Sequence, residues 1–284
     1  MARVGIVTDS TCDLAPLELA KLDVAMVPLK VLFGDETFLD WIDLQPTEFY
    51  EKLKNAQFLP KTSQPSPADF LATYRRLAED GCESIVSVHL TSALSGTFES
   101  ASMAAVDSPV PVRVIDTKRV TQALGLVVKA TVEARDAGLD FQAVAQRAED
   151  VAKEMRLFFV LDTLEYLVKG GRAGKATGLA ASLLNIKPVL TFNSDGIIEP
   201  FKKVKGRKKA ISELAAHVAE ESRELGRLRV SVLHACSEEG AAELKRELLA
   251  TGADIEIASI GLVGSVVGTY AGPDALGVAY YPVG

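Results

Sequence analysis

Residues that usually carry chemistry are scarce in this chain. The three cysteines, Cys12, Cys82 and Cys236, stand far apart with no CxxC spacing. An odd number of scattered thiols supports neither a disulfide framework nor a zinc site, so a reducing, cytoplasmic setting is expected. The three histidines, His89, His217 and His234, are equally dispersed, and HExxH does not occur, so no metal site is expected. GxGxxG and GxSxG are missing too. The stretch GGRAGKATG has the outline of a phosphate loop, but Lys169 stands where its first glycine is needed. Ala176 stands where Ser or Thr would hold magnesium. No cofactor is therefore expected. Long apolar runs are lacking as well. The longest uncharged stretch, Ile257 to Pro273, includes Gly261, Gly264, Gly268 and Gly272 together with Ser, Thr and Tyr. It is too short and too polar to span a bilayer, and no transmembrane segment is expected. Its small-xxx-small spacing would pair helices in lipid; in water such glycines allow turns or close backbone approach. The opening MARVGIVTDS lacks the apolar core of a signal peptide.

What is present describes an ordinary folded protein. The 284 residues are 48 % hydrophobic and 24 % charged, with a formal net charge of -7. That length allows one large domain or two modest ones. The acidic balance argues against a nucleic-acid footprint, which would be basic.

The first half alternates strand and helix signals. Val4 to Thr8 is a short apolar run that ends at polar Asp9, Ser10 and Thr11, the pattern of a buried parallel strand and its loop. Pro16 to Lys21 reads as a short helix, Val24 to Phe33 as a long β-type run, and Gly34-Asp35 as a turn into Thr37 to Leu39. A helix starts at Thr47, and another at Ser66-Pro67, where Ser suits the N-cap and Pro the first helical position. Ser84 to His89 and Val112 to Asp116 are strands; helices are expected near Gly96, over Val120 to Ala137 and over Phe141 to Met155. Strands separated by helices predict a mainly parallel sheet.

The second half changes character. After apolar Leu157 to Leu161 come short helices over Leu164 to Val168 and Ala176 to Leu184. Pro188 to Phe192 and Ile197 to Val204 flank the turn Asn193-Ser194-Asp195-Gly196, a hairpin signal. A long helix spans Arg207 to Leu225, then strand Val230 to His234, helix Glu238 to Leu249, and strands Ile255 to Ser259 and Gly277 to Tyr281. A hairpin among helices suggests an α+β domain with a partly antiparallel, mixed sheet. The expected division is an N-terminal α/β domain over residues 1–154 and a C-terminal α+β domain over 155–284.

Two polar loops stand out at strand–helix junctions: Lys61 to Pro67 and Thr91 to Thr97. Ligands of α/β proteins sit at the carboxyl ends of strands, and helix N-termini suit anions. Hydroxyls of Thr62 and Ser95 would add hydrogen bonds. The same residues also serve as plain caps and turns, and both readings stay open on the residues alone. Ser95 is a conceivable nucleophile of a hydrolase or transferase acting on an acyl or phosphorylated small molecule, though no base accompanies it. The basic run Lys202, Lys203, Lys205, Arg207, Lys208 and Lys209 is either a solvated face or a dock for an acidic partner.

Seven motifs in order extend the reading. They are VTDSTCDL (Val7 to Leu14), KTSQPSPADF (Lys61 to Phe70), TSALSGTFESA (Thr91 to Ala101), LDTLEYLVKGGRAG (Leu161 to Gly174), NIKPVL (Asn185 to Leu190), KVKGRKKA (Lys203 to Ala210) and GTYAGPDALG (Gly268 to Gly277). Together they make the chain resemble the DegV family of bacterial fatty-acid-binding proteins nearly end to end. The resemblance implies a two-domain α/β protein that encloses a long-chain fatty acid such as palmitate in a tunnel between its domains and catalyses nothing itself. It places the family's carboxylate-binding threonine on Thr62 and its serine on Ser95, followed by Gly96. Some family members present the acid to a fatty acid kinase subunit, and the partner-contacting arginine would fall on Arg207. Arg172, in the KGGR motif, receives no role. The chain departs from the family where GxHxGPGAxG is usual: Tyr270 replaces the histidine and Asp274 the glycine after proline. A phenol can donate a hydrogen bond to a carboxylate and close a tunnel mouth. It is not an imidazole that exchanges a proton near neutral pH, which puts a part in kinase chemistry in question and leaves Tyr270 as a binding residue.

Overall fold

The computed structural model describes residues 3–182 and 186–283. Strand β1 (Val4–Asp9) is buried at every position, which is why its sequence is an apolar run and not an alternation. Helix α1 (Pro16–Lys21) returns the chain to β2 (Val24–Val27), parallel to β1 with Ile6 opposite Val24. The β-type run expected over Val24 to Phe33 is not one strand. Pro28 has no N–H to give to a ladder, and the chain leaves the parallel sheet there. Lys30–Phe33 becomes β3 of a separate antiparallel sheet, joined through Gly34 to β4 (Glu36–Leu39). Helix α2 (Pro46–Lys54) follows, and then β5 (Lys61–Ser63), which pairs with β3 so that Val31 faces Thr62. The segment expected as a loop from Lys61 thus opens as an edge strand. Three polar residues carry no alternation by which such a long-range pairing shows in sequence.

Helix α3 (Pro67–Glu79) starts as the sequence indicates. The Ser66 side chain accepts from Asp69 N, and the Asp69 carboxylate accepts from Ser66 N at 2.8 Å, a reciprocal cap. Strand β6 (Ser84–His89), helix α4 (Thr97–Val106), strand β7 (Val112–Asp116) and helices α5 (Thr121–Asp136) and α6 (Phe141–Glu154) complete the first half. Its main sheet has the order β2-β1-β6-β7, all parallel.

The second half contributes β8 (Arg156–Val160), α7 (Glu165–Lys169), a 3-10 segment (Gly174–Ser182), β9 (Ile186–Phe192), β10 (Ile198–Lys205), α8 (Arg207–Leu225), β11 (Leu228–His234), α9 (Glu238–Ala250), β12 (Ile255–Leu262), α10 (Ser265–Ala271) and β13 (Leu276–Pro282). The six strands run β10-β9-β8-β13-β11-β12 in a mixed sheet, parallel only between β11 and β12. The helix expected over Ala176 to Leu184 falls on the 3-10 segment, and its last two residues, Leu183 and Leu184, lie outside the described residues. The glycine-rich stretch holds a helix, α10, that its composition conceals. Close approach is nonetheless what the glycines provide: a Cβ at Gly268 would sit 2.7 Å from the Tyr50 hydroxyl.

Helix α5 is buried on nearly every side and packs against β1 and β6 of the parallel sheet and β11 and β13 of the mixed one. One hydrophobic core therefore runs through both halves, from Ile6 and Val88 to Leu157 and Ala279. The hairpin of β9 and β10 reaches back to the first half. Its turn places Gly196 at φ +77° against Thr91, whose hydroxyl donates to Gly196 O at 3.2 Å. Buried Arg119 donates from Nη1 to Asn193 O at 3.2 Å. Among the described residues no helix is long and apolar enough to cross a membrane.

Candidate functional site

Between the two sheets lies a cavity of about 490 Å³. Its walls are mostly aliphatic and aromatic. Leu29, Leu90 and Val120 come from the first half, and Leu157, Phe159, Phe192, Ile198 and Leu233 from the mixed sheet. Val263, Val266, Val267, Tyr270 and Ala271, on and just before α10, supply a further side.

Polar groups gather on one part of this wall. Thr62, Gln64, Ser92, Ser95, Gly96, Arg172 and Tyr270 all line it. The register of β5 against β3 sets Thr62, and its hydroxyl lies 2.6 Å from the Tyr270 hydroxyl. Ser95 and Gly96 follow β6 and precede α4, at the carboxyl end of a parallel strand as in other open α/β sheets. Ser95 Oγ bonds Thr97 Oγ1 at 2.8 Å. Gly96 is the N-cap of α4, so the first N–H groups of that helix lack intrahelical acceptors. A Cβ at Gly96 would meet the end of the Gln64 side chain, whose amide nitrogen donates to Gly96 O at 3.1 Å, so glycine here lets that bond form.

The sequence assigned no role to Arg172. It donates from Nε to Leu94 O at 3.3 Å and from Nη1 to Gly170 O at 2.8 Å, and its guanidinium lies 4.9 Å from the centre of the Tyr270 ring. A cation over an aromatic face is attractive. Gly170 makes room for that ring, since a Cβ would stand 2.7 Å from Tyr270 Cε1. Its place in a KGGR motif was the one available signal, because neither periodicity nor spacing marks it.

Four of the five residues singled out in the sequence, Thr62, Ser95, Gly96 and Tyr270, therefore meet on one wall. Arg207 does not line the cavity. It is half-buried at the start of α8, where Nη1 donates to Asp274 O at 2.7 Å and Nη2 to Ser237 Oγ at 2.6 Å. Asp274 stands at φ +61°, in the left-handed region that favours the family's glycine.

The cavity-lining residues include no histidine. A Ser-His-Asp series does exist elsewhere: Asp9 Oδ2 lies 3.0 Å from His89 Nδ1, and His89 Nε2 lies 2.7 Å from Ser87 Oγ. All three are fully buried, Ser87 bonds Tyr74, and none of them lines the cavity. Asp9 also accepts from Thr11 and from Leu90 N, so this series holds the β1 and β6 loops in place.

The DegV family profile, which describes uncharacterised proteins, matches residues 3–283. The chain belongs to the DegV family. It is 34 % identical to a DegV family protein of Thermus thermophilus whose structure is described as one of fatty acid binding, with a TM-score of 0.93 and 99 % and 100 % of the two chains covered. DegV of Bacillus subtilis, described as a fatty acid binding protein, is 32 % identical over the whole of both chains at a TM-score of 0.90. A stearic acid-binding protein of Eubacterium ventriosum is 29 % identical, covers 99 % and 98 % of the two chains, and has a TM-score of 0.86. These DegV structures share the α/β fold described above.

Proposed function

We propose that this chain binds one long-chain fatty acid, with the acyl tail in the cavity between the halves that divide near residue 154 and the carboxylate at Thr62, Ser95, Gly96 and Tyr270. The carrying observation is a largely apolar cavity on one part of whose wall Thr62, Gln64, Ser95, Gly96, Arg172 and Tyr270 gather. A volume of about 490 Å³ suits a small amphiphile. Burying each methylene contributes about 0.8 kcal/mol, so a chain of about sixteen carbons gains over ~10 kcal/mol before ordering costs. The carboxylate needs donors once it leaves water. Two hydroxyls, a phenol and the N–H groups at the start of α4 meet that need, and Arg172 beside Tyr270 supplies positive charge.

The same geometry supports binding over catalysis. Ser95 bonds Thr97, and no imidazole stands on the cavity wall to take its proton. Presentation to a fatty acid kinase subunit is the further part of the proposal. The exposed lysines around Arg207, namely Lys203, Lys205, Lys208 and Lys209, offer a basic surface for an acidic partner. Mass spectrometry of an organic extract of the purified protein tests the central reading. One acyl chain per protein is expected; an empty extract together with no uptake of added palmitate or oleate overturns it.

A further inference from the structure

Two carboxylates are buried behind the cavity with no cation beside them. Asp13 ends the 3-10 turn Ser10–Cys12 and is 4 % exposed; Asp40, just after β4, is 0 % exposed. Both close on the start of α10. Asp40 Oδ1 accepts from Ser265 N at 3.1 Å. A Cβ on Gly264 would lie 2.6 Å from Trp41 Nε1 and closer still to Asp13 Oδ1. Consecutive residues at the start of one helix are thus gripped by two acids from distant parts of the chain.

The grip is unusual in its polar balance. Both oxygens of Asp13, Oδ2 of Asp40, Trp41 Nε1, Thr121 Oγ1 and Ser265 Oγ are buried without a hydrogen-bond partner among the described residues. No ion pair joins either acid to a lysine or arginine among those residues. The titratable groups bearing on the pair are Asp9 on β1, Cys12 in the 3-10 turn, Tyr50 on α2 and, through Tyr50, Cys236. His89 is engaged by Asp9 and Ser87. Asp13, Trp41 and Thr121 all hold positive φ, at 52°, 66° and 53°, so three segments keep a disfavoured backbone to form this cluster.

We infer that Asp13 and Asp40 are a proton-binding pair that positions α10, and with it Tyr270, so that affinity for the acyl ligand follows the protonation of the pair. The inference rests on the lipid-binding reading above. A neutral carboxyl both donates and accepts, and can satisfy the hydroxyls and carbonyls around it. Two ionised carboxylates in a site of low dielectric repel each other, with no cation among the described residues to offset them. Burial drives Asp13 well above the usual carboxylate range and Asp40 up to about 7, the latter against the bond it accepts from Ser265 N. The consequence travels along one short helix. Gly268 N bonds Gly264 O at 2.8 Å, Thr269 Oγ1 bonds Ser265 O at 2.9 Å, and Tyr270 follows with its hydroxyl on Thr62. Val266, Val267, Tyr270 and Ala271 of this helix line the cavity. Loosening its first turn therefore moves both the apolar wall and the head-group site.

The test is the pH profile of binding for a fluorescent long-chain fatty acid, from pH 5.5 to 8.5, in the parent, in Asp40→Asn and in the Asp13→Asn/Asp40→Asn double variant. Asparagine keeps the shape and an acceptor, cannot titrate, and tolerates positive φ at position 13. The single variant serves if the double variant fails to fold. The parent is expected to hold its affinity below about pH 7, where Asp40 is protonated with or without ligand, and to lose up to about tenfold per pH unit above it, the limit for release of one proton. The variants are expected to keep the tight binding with only the ligand's own titration, which all share. Identical profiles in parent and variants overturn the inference alone. Absence of binding at every pH in every protein overturns the lipid-binding reading and the inference with it.

Discussion

The hydroxyls of Thr62 and Tyr270 stand 2.6 Å apart, joining an edge strand of the small antiparallel sheet to the helix at the end of the cavity. Neither residue has its site without the other element. Tyr270→Phe removes only the oxygen, and fatty-acid binding should weaken by about 1–3 kcal/mol, the scale for leaving a charged acceptor short of a donor. Thermal unfolding should be nearly unchanged, since the ring stays on Gly170 and Arg172. Calorimetric titration of Thr62→Ala, Tyr270→Phe and the double variant checks the pairing. Losses that simply add would show that the two hydroxyls act separately.

Gly96→Ala probes the start of α4. The added methyl meets the Gln64 amide, so that side chain must swing away and give up its bonds to Gly96 O and Ser100 Oγ. Binding should fall by more than for Ser95→Ala, which is expected to cost about 1–3 kcal/mol. Equal affinity for parent and Gly96→Ala in the same titration would remove Gly96 from the site.

Arg207→Ala is expected to lower stability by about 1–3 kcal/mol, because Asp274 O and Ser237 lose a charged donor between α8, α9 and the approach to β13. Urea unfolding measures it. Any loss of acyl-phosphate production with a kinase subunit must be compared with Lys208→Glu, where an exposed charge changes without such contacts.

Leu233→Phe takes room from the cavity wall on strand β11. The acyl chains extracted from the variant should be shorter than those from the parent, as judged by mass spectrometry. An unchanged chain-length distribution would place the tail away from Leu233.

Stability should also depend on pH through Asp40. Its folded value is raised to about 7 by burial, against roughly 3.9 when unfolded. The folded state holds the proton more tightly, so this contribution is fully present below about pH 4 and is lost as pH rises through 7. Urea midpoints should fall between pH 5 and pH 8, and fall less in Asp40→Asn.

The sequence made much of this architecture legible where local chemistry decides it. Arg207–Leu225 is the helix its periodicity marks, and Ser66-Pro67 opens α3 as its capping pattern requires. The apolar run of β1 and the Asn193 to Gly196 turn stand where they were expected. What escaped was set by contacts distant in sequence. Pro28 split a run that reads as one strand, and β5 exists only because β3 lies beside it. Helix α10 is hidden by glycines whose role is to let Asp13, Tyr50 and Tyr166 come close. On the cavity wall, Thr62, Ser95, Gly96 and Tyr270 are the residues that motif and loop position had singled out. Arg172 and the Asp13–Asp40 pair were not, since a stacked guanidinium and two buried acids have no periodic signature.

The docking of the hairpin turn on Thr91 and Arg119 bears on time as much as on affinity. For the fatty acid proposed to lie between the halves, parting of such contacts is one route of departure, and where that route dominates, its residence is set by how often the protein breathes. Two fatty acids held with quite different strengths would then leave at nearly the same first-order rate, with their difference appearing in how fast they are taken up.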